Sequence, residues 1–208
     1  MKKIKICGLT REQDILAVNE YKPDYIGFVF APGRKRTVSK ETAKFLKSLL
    51  SPEIKAVGVF VNHDIEEIIT LAEEGIIDMI QLHGDEDRNY IEYLSEYTDV
   101  PIIKAVAVQN KEQLQKADTI PAIDYLLLDT YDRFTQGGTG KTFDWSIIPE
   151  LHTPFFLAGG LNIHNINSAK QTNAFALDIS SGVETDGIKD NQKIAAIIAA
   201  VRKEEEND

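Results

Sequence analysis

The chain has 208 residues, of which 43% are hydrophobic and 27% charged, a balance that suits a globular protein with one sizeable core. Its 33 acidic and 23 basic residues give a formal net charge of −10, which repels phosphate backbones and speaks against nucleic-acid binding. A single cysteine excludes an intramolecular disulfide and fits a reducing, cytoplasmic setting; no signal-peptide core or membrane-length apolar run is found, so no membrane partner is expected.

Short β-branched runs alternate with amphipathic stretches. Lys3 to Cys7 reads as a first strand, followed by a helix over Arg11 to Glu20. Tyr25 to Phe30 is the second strand, and Ser39 opens a helix to Leu50 with Ala43, Leu46, Leu49 and Leu50 on one face. Ala56 to Val61 precedes a helix over Asp64 to Glu74, where Asp64 can cap, Glu67 stands three residues on, and Ile65, Ile68, Ile69 and Ala72 share a face. Met79 to Leu82, Ile102 to Ala107 and Tyr125 to Asp129 follow as strands. The longest polar loop, Tyr131 to Thr142, contains Gly137, Gly138 and Gly140. Phe155 to Leu157 and Ala174 to Ile179 are the last strands, and a closing helix carries Ile194, Ile197, Ile198 and Val201 before the charged end at Lys203 to Asp208.

Several runs are almost continuously apolar, as parallel strands covered on both faces are. Eight β-then-α units are the number that closes a (β/α)8 TIM barrel, here a compact α/β domain expected to span 1–208. An open doubly wound sheet fits the same alternation. What stands at the strand ends favours the barrel.

In a parallel α/β fold the active site gathers at the carboxyl ends of the strands. Those positions here are Cys7, Arg34 to Arg36, Asn62, His83, Asp129, Gly159-Gly160 and Ser180-Ser181-Gly182. Glycines let a backbone approach a phosphate, and a following helix N-terminus supplies N–H groups and partial positive charge. Either glycine pair alone reads as a strand end; the two together, after the last two strands, read as the phosphate site of such barrels. A lone cysteine is more often a small buried hydrophobe, and its catalytic reading is a thiolate base whose pKa neighbouring charges lower. Asp129 ends an apolar strand, either as a loop cap or as an acid holding a proton. Arg34, Lys35 and Arg36 suit a substrate carboxylate, Arg in bidentate fashion, or form a solvated loop. His83 has no second histidine at ligand spacing, so no metal is expected.

Read in order, these segments resemble the phosphoribosylanthranilate isomerase family. The resemblance is carried by Lys5-Ile6-Cys7-Gly8-Leu9-Thr10, Gly27-Phe28-Val29-Phe30 running into Arg34-Lys35-Arg36, Val57 to Asn62, and Gln81-Leu82-His83-Gly84-Asp85-Glu86. It continues through Leu128-Asp129-Thr130, Gly137 to Trp145, Leu157-Ala158-Gly159-Gly160-Leu161 and Asp178 to Glu184, and spans Lys5 to about Lys193. It implies an eight-fold barrel without metal or organic cofactor that carries out an Amadori rearrangement in tryptophan biosynthesis, with a phosphosugar-anthranilate as its small-molecule substrate. Cys7 would be the general base and Asp129 the general acid. Arg36 would meet the anthranilate carboxylate; Gly159, Gly160, Ser181 and Gly182 would cradle the phosphate, with Gly138 and Thr139 in a nearby mobile loop. Asp178 would orient substrate or Cys7, and His83 stands in a second tier. Ala31-Pro32-Gly33 departs from the family, where a serine-containing turn is common. Other phosphosugar barrels, an indole-glycerol-phosphate synthase or a pentose-phosphate epimerase, carry motifs not matched here. A barrel kept as a phosphometabolite-binding module would have lost Cys7 or Asp129. The chain is expected to act as a monomer or a homodimer.

Overall fold

The computed structural model describes residues 1–130 and 142–203. In chain order the elements are β1 (Lys3–Cys7), α1 (Glu12–Tyr21), β2 (Tyr25–Val29), α2 (Lys40–Leu49), β3 (Lys55–Phe60), α3 (Ile65–Glu73), β4 (Met79–Leu82), α4 (Arg88–Glu96), β5 (Ile102–Val108), α5 (Lys111–Ala117) and β6 (Tyr125–Thr130). There follow a 3-10 turn (Trp145–Ile147), β7 (Phe155–Leu157), α6 (Ile166–Lys170), β8 (Ala176–Ile179), a 3-10 turn (Ser181–Val183), a small hairpin of β9 (Glu184–Thr185) and β10 (Ile188–Lys189), and α7 (Asn191–Arg202). β1 to β8 are parallel neighbours in sequence order, and β8 returns to β1, so the sheet closes. The barrel, not the open sheet, is the fold.

The period of two along each strand divides the apolar residues between two cores. Inward positions Val57, Met79, Ile103, Leu127, Phe156 and Ala176 fill the barrel. Outward positions, among them Ile4, Ile6, Ile26, Phe28, Ile80, Leu126 and Leu177, pack under the helices. Ile194, Ile197, Ile198 and Val201 of α7 are all buried, and α7 lies against α1, which closes the outer ring. Among the described residues no helix is long and apolar enough to cross a membrane.

A repeated aspartate stitches the floor of the barrel. Just before β2, β4 and β6 stand Asp24, Asp78 and Asp124, and each turns back to accept the first free amide of the preceding strand. The distances are 3.0 Å from Ile4, 2.7 Å from Ala56 and 2.8 Å from Ile102. Each is a charge-assisted bond contributing about 1–2 kcal/mol, at the face of a barrel where residues serve stability.

Boundaries differ from the sequence reading by one or two residues. β2 stops at Val29 because Val38 N–H takes the Val29 carbonyl and the chain turns away. Ser39 caps α2 through Thr42 N–H, and Asp64 caps α3 through Glu66 N–H at 2.9 Å. Glu67 does not complete a capping box; its carboxylate lies 2.7 Å from His63 Nε2.

Candidate active site

The strand ends enclose a cleft of about 560 Å³ at the carboxyl mouth of the barrel, and Cys7, Arg36, His83, Asp129, Gly159, Gly160, Asp178 and Ser181 all line it. Gly182 lies beside the cleft in the turn after β8. Gly138 and Thr139 fall outside the described residues.

Cys7 ends β1, and its thiol occupies room left by Gly27 on β2. A Cβ added to Gly27 would stand 2.6 Å from Cys7 Sγ and 3.2 Å from Cys7 Cα. Two residues below Cys7 on the same strand face is Lys5, fully buried, with its ammonium 2.8 Å from Gln81 Oε1 and 2.8 Å from Asp178 Oδ2. Lys5 and Asp178 are register partners on β1 and β8, which is why they meet. Burial pushes the Cys7 thiol above its ordinary pKa; Lys5 and Lys189 pull it down and Asp178 adds to the rise. The resting thiol is therefore not the lowered one that the sequence reading looked for. Burial also works to discharge Lys5, but Asp178 and Cys7 outweigh it and its pKa is raised.

Asp129 ends β6 with Oδ1 accepting Thr130 N–H at 2.8 Å and Oδ2 3.3 Å from His83 Nε2. The other ring nitrogen of His83, Nδ1, is 2.8 Å from Gln81 Nε2. Gly159 permits the β7 loop to close over this group: it holds φ +84°, and a Cβ there would come within 2.7 Å of Thr130 N and 3.0 Å of Asp129 Oδ1.

On another wall Arg36 grips Glu184 along one edge of its guanidinium, Nε to Oε1 at 2.7 Å and Nη2 to Oε2 at 2.8 Å. Lys189 adds 2.6 Å to the same Oε1. Burial alone would raise the Glu184 pKa, but the two cations reverse it and hold it low, while burial pulls Lys189 below its ordinary value. Two cations against one carboxylate leave this wall positive, and Arg34 and Lys35 line the same cleft. The turn before Arg36 is closed by Thr37, whose Oγ1 lies 2.5 Å from Ala31 O and 2.9 Å from Arg34 O.

The two glycine loops lie against each other. A Cβ on Gly182 would meet the backbone of Leu161 and Asn162. Among the described residues none accepts from Gly159 or Gly160 N–H. The helical stretch expected after Leu161-Asn162 begins only at Ile166, because Asn162 and Asn165 both donate side-chain bonds to Gly160 O, at 2.8 and 3.0 Å, and form a turn first. The anion-binding potential here comes from loop amides, with no full helix N-terminus behind them.

Sequence reasoning assigns no role to Lys5, Gln81, Glu184, Lys189 and Gly27, although all but Lys189 stand in the segments that carry the resemblance. The available signal is spacing: Lys5 and Gln81 stand two residues before Cys7 and His83, so in a strand they face the same way as those two residues.

The sequence profile of N-(5′-phosphoribosyl)anthranilate isomerases matches residues 4–200. The N-(5′-phosphoribosyl)anthranilate isomerase of Endomicrobium trichonymphae is 50% identical over 203 residues, covering 97% of this chain and 99% of that one. The crystal structure of the phosphoribosylanthranilate isomerase of Thermotoga maritima superposes with a TM-score of 0.85 at 37% identity, covering 97% of this chain and 98% of that one. A further solved isomerase, in complex with reduced 1-(o-carboxyphenylamino)-1-deoxyribulose 5-phosphate, has a TM-score of 0.81 at 34% identity, again covering 97% and 98%.

Proposed function

The chain belongs to the N-(5′-phosphoribosyl)anthranilate isomerase family, and from that premise we propose that Cys7 is the base and Asp129 the acid of its reaction. The enzyme converts N-(5′-phosphoribosyl)anthranilate to 1-(2-carboxyphenylamino)-1-deoxyribulose 5-phosphate in tryptophan biosynthesis. Asp129 gives its proton to the furanose ring oxygen; the C1′–O bond breaks and the nitrogen lone pair forms an iminium. The cationic iminium acidifies C2′–H, and Cys7 thiolate takes that proton, leaving an enolamine that tautomerises to the ketone. A raised thiol pKa makes Cys7 a stronger base once ionised, at the cost of a smaller ionised fraction. None of these steps needs a metal or an organic cofactor.

Arg36, already oriented by Glu184, offers its remaining N–H edge to the anthranilate carboxylate. The amides of Gly159, Gly160, Ser181 and Gly182 take the phosphate, with Gly138 and Thr139 as further substrate-binding residues. Asp178 orients Cys7 through Lys5. The enzyme works in the cytoplasm as a monomer or a homodimer. The observation that carries the assignment is that Cys7 and Asp129 open onto one cleft whose walls also present Arg36 and the Gly159-Gly160 loop, whose amides have no acceptor among the described residues.

The test is Cys7→Ser and Asp129→Asn. Each lowers kcat by about a hundredfold or more, as loss of a general acid or base does, while binding of the reduced product analogue is largely kept. Near-wild-type turnover by either variant removes that residue from its role.

A further inference from the structure

Hydrogen-bond chemistry gives a direction to the chain of contacts that crosses the barrel beneath the cleft. Lys5 can only donate. Its ammonium, 2.8 Å from the Gln81 side chain, therefore faces the amide oxygen. The amide nitrogen is then committed to the other side, where it meets His83 Nδ1 at 2.8 Å. An N–H cannot point at a second N–H, so Nδ1 must be the bare, accepting nitrogen and the ring proton stands on Nε2. Nε2 faces Asp129 Oδ2 at 3.3 Å. At its other end the same ammonium is 2.8 Å from Asp178 Oδ2 and sits one pleat below Cys7. Lys5 and Asp178 are both buried, and Asp178 Oδ1 has no hydrogen-bond partner among the described residues.

We propose that Lys5 is a positioning residue for both halves of the reaction: it holds Asp178 beneath Cys7, and through Gln81 it fixes His83 in the Nε2–H form, which places the protonated ring nitrogen 3.3 Å from Asp129 Oδ2. The chain explains why a fully buried lysine stands in a barrel whose interior is filled by residues such as Val57, Met79 and Leu127, where an isolated charge is costly. It also gives the pair of inward polar residues at positions 5 and 81 one common purpose. The proposal rests on the assignment of Cys7 and Asp129.

The groups that face Cys7 are Lys5 on its own strand, Asp178 on β8, Lys189 on β10 and Arg36 in the loop after β2, and Glu184 balances the last two. Of the two nearest charges, Lys5 acts on the thiol more strongly than Asp178. Removing the ammonium takes away the buried cation that lies one pleat below the thiol and favours its ionised form, so the thiol ionises at a higher pH.

Ring nitrogen NMR tests the proposal on the folded enzyme, with His83 assigned among the four histidines by its loss in His83→Asn. Wild type carries the His83 proton on Nε2. In Gln81→Glu both side-chain oxygens accept, so Nδ1 becomes protonated, and kcat falls about tenfold or more with little change in KM. In Lys5→Met the His83 preference is lost, and alkylation of Cys7 by iodoacetamide at pH 8 becomes slower than in wild type. Gln81→Glu keeps Lys5 paired and serves as the decisive variant should Lys5→Met fold poorly. A wild-type His83 protonated on Nδ1 overturns the proposal, as does Gln81→Glu with a switched tautomer and undiminished kcat. Cys7→Ala, run alongside, separates the two claims. If it is dead while Gln81→Glu is fully active, only the positioning role fails; if Cys7→Ala turns over normally, the base assignment fails and the positioning role falls with it.

Discussion

Replacing Gly27 by alanine tests whether the space beside Cys7 is part of the chemistry. The new Cβ would stand 2.6 Å from Sγ, 3.2 Å from Cα and 3.3 Å from Cβ of Cys7. Carbon–sulfur contacts settle nearer about 3.5–4.0 Å, so the sulfur must retreat by roughly 1 Å. β1 and β2 cannot separate to make room, because Gly8 and Leu9 N–H both bond Gly27 O, at 2.9 and 3.1 Å. Rotation of the thiol is the easier relaxation, and it takes Sγ away from the position it now holds over the cleft. A displacement of about 1 Å at a reacting atom costs on the order of a hundredfold in rate. Overpacking costs about 1–3 kcal/mol in stability, little enough to leave a folded protein. The assay is fluorescence-monitored consumption of fresh phosphoribosylanthranilate, with thermal unfolding as the control. A fall of that size in kcat with a modest drop in Tm is the expected result. Wild-type kcat in a folded Gly27→Ala protein would refute the reasoning, since the thiol's placement would then not matter.

Three further outcomes follow from other parts of the molecule. Glu184→Gln removes the charge that orients Arg36, so KM should rise by about tenfold while kcat changes less; a variant whose KM is unaltered would separate Arg36 positioning from Glu184. Because burial and Asp178 push the Cys7 pKa up, alkylation of the protein's only cysteine should accelerate as pH rises through values above the ordinary thiol range. A rate that already levels off below pH 8 would contradict that direction. At the end of α5, burial favours a higher Asp118 pKa, but the N–H groups of His152 and Thr153 hold it down at about 2. A depressed carboxylate adds stability above its unfolded value of 3.8 and loses it as pH falls through about 2. Asp118→Ala should therefore cost about 1–2 kcal/mol at pH 7 in denaturant titrations, with the deficit shrinking toward pH 2. A deficit constant with pH would assign the cost to packing.

The barrel was legible because its strands are short, apolar and evenly spaced, and because helices such as the one carrying Ile194, Ile197, Ile198 and Val201 show one buried face. Closure itself was not legible from periodicity, since an open sheet repeats the same alternation; it depends on β8 pairing with β1, a contact between the two ends of the chain. At the site, residues just past strand ends could be named from position. Residues one pleat deeper could not, because a lysine or glutamine inside a strand reads as an exposed position until its partner on another strand is known. Lys5 needed Asp178 and Gln81, which lie 173 and 76 residues away. Arg36 was found as a cation, but its pairing with Glu184, 148 residues on, was beyond local reading. The direction of the Cys7 shift also depended on burial, which outweighs the two lysines that a charge count alone would have favoured.

The most direct measurement of the central claim is turnover of freshly made phosphoribosylanthranilate by wild type beside Cys7→Ala. The account predicts steady fluorescence decay with wild type and none above background with the variant, both proteins remaining folded and both binding the reduced product analogue. Equal decay with the two proteins would contradict Cys7 as the base, and a folded wild type that binds the analogue without consuming substrate would contradict catalysis by this site.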